Sequence, residues 1–415
     1  MQKNNKSSHI GGFSIVFLLI LTVFSKELFT RMIGGVMIDL YGYVFLGLVF
    51  VSLLPRLQVS RTLAALYFGL ILASGLAILL FNLPLFPFIK QAVPILFIYF
   101  ATYHILHVYR WHLTDVFELY VKVAFWTAVF GIGQYWACQF GYCFLIGPTG
   151  QLDSIAYEPS HYAVIIMPAT IYTLWQFQRY RKEAIVFVLA LIFTRSLTSM
   201  SILLVAFLLP LFRIKYVPLV GLVLYAAYLI LPQVNDKFAM RIYGTERIIR
   251  SGDYGLAVTP NGTVNSFASN LDVAFYSVRQ SPLFGSGLGG HETMYERKFA
   301  GTDFASDYFY GLNQLSAHSL SIRILSELGL IGFAAYVFFL IKSYIKKEEG
   351  LTYHLISLAC ISHFMAKTLK LGGYIDYGTP FFFCLLLINF QQYRAAKKSQ
   401  QHTDVENHFP LHAPA

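Results

Sequence analysis

Charge is scarce in this chain. Asp, Glu, Lys and Arg make up 13% of its 415 residues, about half the share of roughly 25% usual in soluble domains. A shortage of that size excludes an ordinary water-soluble fold. Cysteine is scarcer still, at four residues, and no His/Cys grouping has zinc spacing. No glycine-rich loop has the form of a Walker motif, so neither a metal, a nucleotide nor any other cofactor is expected. The N-terminus lacks a cleavable signal peptide: the apolar segment that begins near Gly11 has no small-residue cleavage site and reads as the first span.

What the chain has instead is apolar, with 56% hydrophobic and 17% aromatic residues. Runs of the length needed to cross a bilayer, about 17 to 25 residues, predict twelve helices. They lie near 11–30, 37–55, 62–83, 88–107, 116–138, 161–178, 183–195, 198–212, 216–232, 318–341, 352–370 and 374–392. The seventh and eighth are short and read as a broken pair around Arg195. The fold class is an all-α integral membrane protein with one large loop.

A formal charge of +10 would suggest nucleic acid in a soluble chain, but here the basic residues sit in short connections, where they orient the protein, so nucleic acid is excluded as a partner. Lys3, Lys6, Arg56, Arg61, Arg110, Arg179, Arg181, Lys182, Arg213, Lys215, Lys342, Lys346, Lys347, Arg394, Lys397 and Lys398 mark one side as cytoplasmic. Both termini then lie in the cytoplasm. The chain divides into 1–232 (nine spans), 233–317 (a large outer loop), 318–392 (three spans) and 393–415, a polar tail expected to be disordered. The loop, rich in Gly, Asn, Ser and Asp, reads as a lid rather than an independent domain, with an amphipathic helix over Asn270–Arg279. Cys138 and Cys143 flank a segment on the outer side, where a disulfide is allowed; Cys360 and Cys384 read as small buried hydrophobes.

Candidate site residues cluster at the outer ends of spans. In HSLSIRILSELGLIG, His318 to Gly332, the side chains of Ser319, Arg323, Ser326 and Glu327 form a polar stripe, with Gly329 and Gly332 on a face that a neighbouring helix can approach. Ionisable groups at that depth mark a site unless Arg323 and Glu327 only pair with each other. Arg241, Arg247 and Arg250 follow the ninth span; arginine forks suit phosphate oxygens, and snorkelling to lipid head groups is the alternative. Arg195, among Ser and Thr residues, either caps a helix or contacts an anion. Glu158 precedes Pro159 at a helix start, where the dipole favours a carboxylate. His363, Lys367 and Lys370 recur at helical spacing as a basic stripe, with Lys367 and His363 deep enough for a second anion contact.

The ordered set of PLFGSGLG (Pro282 to Gly289), a polar loop, His318 and then L-x-E-L-G-L-I-G resembles the C-terminal signature of the bacterial O-antigen polymerase and ligase superfamily. The E-P-S of Glu158 to Ser160 resembles the polymerases in particular. Two features depart from the pattern: Ser319 stands where Asn often follows the His, and no arginine precedes the helix that leads to PLFGSGLG. The resemblance implies a glycosyltransferase of the inner membrane. It would move a glycan from undecaprenyl diphosphate to the terminal sugar of another lipid-linked repeat unit, without a metal ion. It also implies His318 as general base, with Glu158 or Glu327 in reserve, and membrane lipids and a chain-length regulator protein as partners. Ligation to lipid A-core, or transport of the lipid-linked sugar, are the rival readings.

Overall fold

The computed structural model describes residues 8–26, 47–48, 60–143, 150–156, 158–196, 217–234 and 236–408. Among them the structure is all-helical. In chain order the helices are α1 Ser8–Phe24, α2 Arg61–Phe81, α3 Leu85–Val108, α4 Leu113–Gln139, α5 Pro159–Trp175, α6 Arg181–Thr194, α7 Val217–Val234, α8 Asp236–Ser251, α9 Gly262–Gln280, α10 Gly290–Phe299, α11 Leu320–Ser343, α12 Leu351–Leu369 and α13 Thr379–His408. Four stretches are long and apolar enough to cross a membrane by length and composition: α2, α3, Arg110–Gln139 and α11. The predicted spans at 37–55 and 198–212 lie, except for residues 47–48, outside the described residues.

Local chemistry sets the helix ends. Ser60 caps α2 by accepting a hydrogen bond from the Leu63 amide, and Asn261 and Ser319 do the same for α9 and α11. Pro159 opens α5 at the first helical position, where its missing N–H costs nothing. Helix α5 is buried without a break from Tyr162 to Thr173, and α12 from His354 to Phe364. These two pack together as the centre of the bundle, with α1, α4, α6 and α13 around them. The tail expected to be disordered from residue 393 instead continues α13 as helix to His408.

The segment 233–317 also differs from the loose lid that its composition suggests. It holds α8, α9 and α10, and has a core of Val273, Met294, Tyr295, Phe299, Phe304 and Phe309, to which Leu83 of the α2–α3 turn contributes. Asp307 accepts hydrogen bonds from the amides of Leu256 and Phe309, both at 2.8 Å, and Asp272 pairs with Lys298 at 2.6 Å. Polar composition misleads here because much of the polarity is spent inside, on closing turns. Cys138 and Cys143 are disulfide-bonded, while Cys360 and Cys384 are free and buried.

Candidate functional site

The site is built on a broken helix. Gly329 interrupts α11 with φ 63° and ψ −161°, a region open essentially to glycine alone. A break strands backbone groups, and the PLFGSGLG segment takes them up. The amides of Ser286 and Gly287 donate to the carbonyls of Ser326 and Glu327, both at 2.8 Å, while the amides of Leu330 and Ile331 donate to Pro282 at 2.9 Å and Leu283 at 3.2 Å. Gly285 and Gly329 meet so closely that a Cβ on either would lie 2.6 Å or less from backbone of the other segment. The two sequence motifs are thus halves of one joint, and Gly329 serves the break rather than a smooth helix-packing face.

Above the break, Arg323 and Glu327 line a cavity of about 280 Å³ with Lys26, Lys90, Gln91, Glu292, Ser316, Tyr374 and Asp376. Arg323 Nε lies 3.2 Å from Glu327 Oε1, and the guanidinium sits over the Tyr374 ring, 4.7 Å from its centroid. Tyr374 donates its hydroxyl to Glu327 Oε2 at 2.9 Å, and Arg323 also donates to the Gly372 carbonyl. Asp376 stands between Lys26 at 2.9 Å and Lys367 at 2.7 Å, and the two ammonium groups hold its carboxyl well below the usual range despite burial. Ile95 and Tyr374 also line a neighbouring apolar groove of about 450 Å³, which runs along α2, α3, α11, α12 and α13.

The chain matches no family model and no curated protein.

Four predicted residues do not line the cavity, although Lys367 adjoins it through Asp376. Lys367 lines no anion site: its ammonium is fully buried and committed to Asp376, the Gly373 carbonyl and Thr379. His363 is buried against Phe382 and Phe364. Glu158 binds Lys370 at 2.8 Å and Ser160 at 3.1 Å, with His161 3.5 Å away. Burial alone would raise its carboxyl, but Lys370 and His161 outweigh that and hold it at about 2. His318 precedes α11 and is buried, with Nδ1 2.9 Å from Ser266 Oγ. Burial, with Lys370 nearby, pushes it down to about 3 even though Glu158 opposes the shift. It lies outside the cavity lining, and Ser266 engages it as a hydrogen-bonding group.

Other predicted residues lie apart. Arg195 caps α6 with φ 49° and reaches Tyr135 Oη at 3.4 Å; Thr198, Ser199 and Ser201 of its hydroxyl turn lie outside the described residues. Arg241, Arg247 and Arg250 sit on α8, and none lines the cavity. Sequence reasoning missed Asp376, Tyr374, Lys26, Lys90, Glu292 and Gln91 as site residues. Asp376 carried a usable signal, since it is an acid beside Lys367 and Lys370 at the same span ends. Glu292 carried none.

Behind the cavity runs a buried polar chain. Asn270 donates through Nδ2 to the carbonyls of Ser266 at 2.7 Å and Leu312 at 3.1 Å, so its Oδ1 accepts from His291 Nε2 at 2.9 Å. His291 Nδ1 then accepts from the Ser326 hydroxyl at 2.8 Å, which leaves Ser277 to donate to Ser326 at 3.1 Å. Burial, with Arg323 nearby, holds His291 down at about 3 and neutral, as that tautomer requires. The chain fixes the loop helices α9 and α10 to the half of α11 that carries Arg323 and Glu327.

Proposed function

We propose that the chain is a membrane glycosyltransferase that polymerises lipid-linked oligosaccharide repeat units into O-antigen or another surface polysaccharide. It transfers the growing glycan from undecaprenyl diphosphate to the terminal sugar of another lipid-linked unit, at the outer face of the bacterial inner membrane, with both termini cytoplasmic. All twelve predicted spans belong to this reading, as does a partner protein that regulates chain length. The observation that carries it is the charged cavity beside an apolar groove. Its residues come from α10 and from the ends of α1, α3, α11 and the α12–α13 link, and those ends are the ones that the Lys/Arg pattern assigns to the outer side. The Cys138–Cys143 disulfide, at the end of α4 assigned to the same side, fits an oxidising compartment. An amphiphile with a diphosphate head and an isoprenoid tail matches such a pair of spaces.

The chemistry suits the cavity. Diphosphate leaves with its charge already spread over several oxygens, and fixed cations in a shielded site stabilise that charge as it develops. The test is the polysaccharide ladder of a deletion strain. A single repeat unit on the core supports polymerisation, undecorated core points to the ligase reaction, and a normal ladder refutes both.

A further inference from the structure

The cavity lining carries Lys26, Lys90, Arg323, Glu292, Glu327 and Asp376. Most of this charge is already committed. Arg323 is paired with Glu327, and Lys26 shares Asp376 with the buried Lys367. Using Arg323 or Glu327 on a ligand would leave a buried partner uncompensated, which such pairs resist, and Lys26 is already engaged with Asp376. Lys90 and Glu292 differ: neither makes a hydrogen bond or an ion pair among the described residues, and they reach the cavity from separate elements, α3 and α10. The dipole of α10 favours an acid at position 292 whether or not a ligand is present. Lys90 is exposed near the outer end of α3, where a lysine also serves as an interfacial anchor, so what marks it is its place on the cavity wall without a counter-charge among the described residues.

We propose that Lys90 and Glu292 are the substrate-contacting pair of this cavity. The assignment rests on the glycosyltransferase reading and deepens it. Lys90 takes the diphosphate oxygens of the donor, and Glu292 takes the proton of the acceptor hydroxyl. In the step itself, the acceptor oxygen forms its bond to the anomeric carbon while the bond from that carbon to the diphosphate oxygen breaks. The diphosphate keeps that electron pair, and the hydroxyl proton passes to the Glu292 carboxylate. The other expected bases are occupied: Glu327 by Arg323 and Tyr374, Glu158 by Lys370 and Ser160, and His318 by Ser266.

Two measurements on the full chain in nanodiscs and in cells separate the parts. Inorganic pyrophosphate binding should weaken at least about tenfold in Lys90→Ala and less in Lys90→Arg, while the exposed Lys182→Ala leaves it unchanged. Glu292→Gln should bind pyrophosphate as wild type does yet lose about 10²- to 10⁴-fold in chain growth, with Glu292→Asp recovering part of it. Pyrophosphate binding that is absent from the wild type, or equal in Lys90→Ala, overturns the role of Lys90. Long chains made by Glu292→Gln at normal protein levels overturn the role of Glu292. A deletion strain with a normal ladder removes the polymerase reading itself, and the pyrophosphate result then still decides whether Lys90 holds an anion.

Discussion

The joint between PLFGSGLG and the broken helix invites a sharp perturbation, Gly329→Ala. At φ 63° and ψ −161° an alanine carries strain of about 1–3 kcal/mol. Its Cβ would also lie 2.6 Å from the Gly285 amide nitrogen and from the Leu283 carbonyl, so the two segments must separate. Separation exposes four backbone hydrogen bonds, each contributing about 0.5–1.5 kcal/mol net. The sum, about 3–9 kcal/mol, is comparable with the whole stability of many domains, about 5–15 kcal/mol. Gly75→Ala is the matched control, because it lies within α2 with nothing within 4 Å of the added carbon. Thermal unfolding in detergent, followed by labelling of the buried free thiols of Cys360 and Cys384, should show early exposure in Gly329→Ala and none in the control. Equal melting of the two variants would refute the joint.

Three further outcomes follow from the site. Asp376→Asn leaves Lys367 buried without its counter-charge, a loss of about 3–5 kcal/mol for breaking one side of such a pair, and Lys367→Met in the same chain should recover part of the melting temperature. Glu158 titrates lower in the folded chain than in the unfolded one, so its contribution is present above the ordinary carboxylate range and lost as pH falls from about 4.5 to about 2. Over that window Glu158→Gln should lose less thermal stability than wild type does. His318 holds a left-handed φ of 62°, which asparagine tolerates well and alanine poorly, so on the proposed polymerase reading His318→Asn should fold and extend glycan nearly as wild type while His318→Ala falls short on the same ladder. Failure of both variants with normal folding would return His318 to the role of base.

The helices were legible because an apolar span is written in one continuous stretch. The predicted span at 88–107 appears as α3 over Leu85–Val108, and that at 318–341 as α11 over Leu320–Ser343. The polar stripe on α11 was equally readable, since Arg323 and Glu327 sit one turn apart. Other features depend on contacts between distant segments. Lys26 and Asp376 are 350 positions apart, and no local pattern announces that they meet. The loop arginines have side chains suited to phosphate, but they lie on α8 and none of them lines the cavity. Gly329 was read as a packing surface because a stranded backbone carbonyl leaves no mark in sequence until its partner, Pro282 to Gly287, is placed against it.

The buried chain from Ser277 through Ser326, His291 and Asn270 to the Leu312 carbonyl has a direction. Every proton in it points the same way, toward a backbone acceptor that cannot reverse. A chemically mild change at one link, such as acid for amide at Asn270, keeps an acceptor for His291 but leaves the Ser266 and Leu312 carbonyls without their N–H donors and facing a carboxylate, and neither carbonyl can adjust. Descendants of this sequence would therefore be expected to vary these positions jointly or hold them together, as a word is kept or replaced whole rather than one letter at a time.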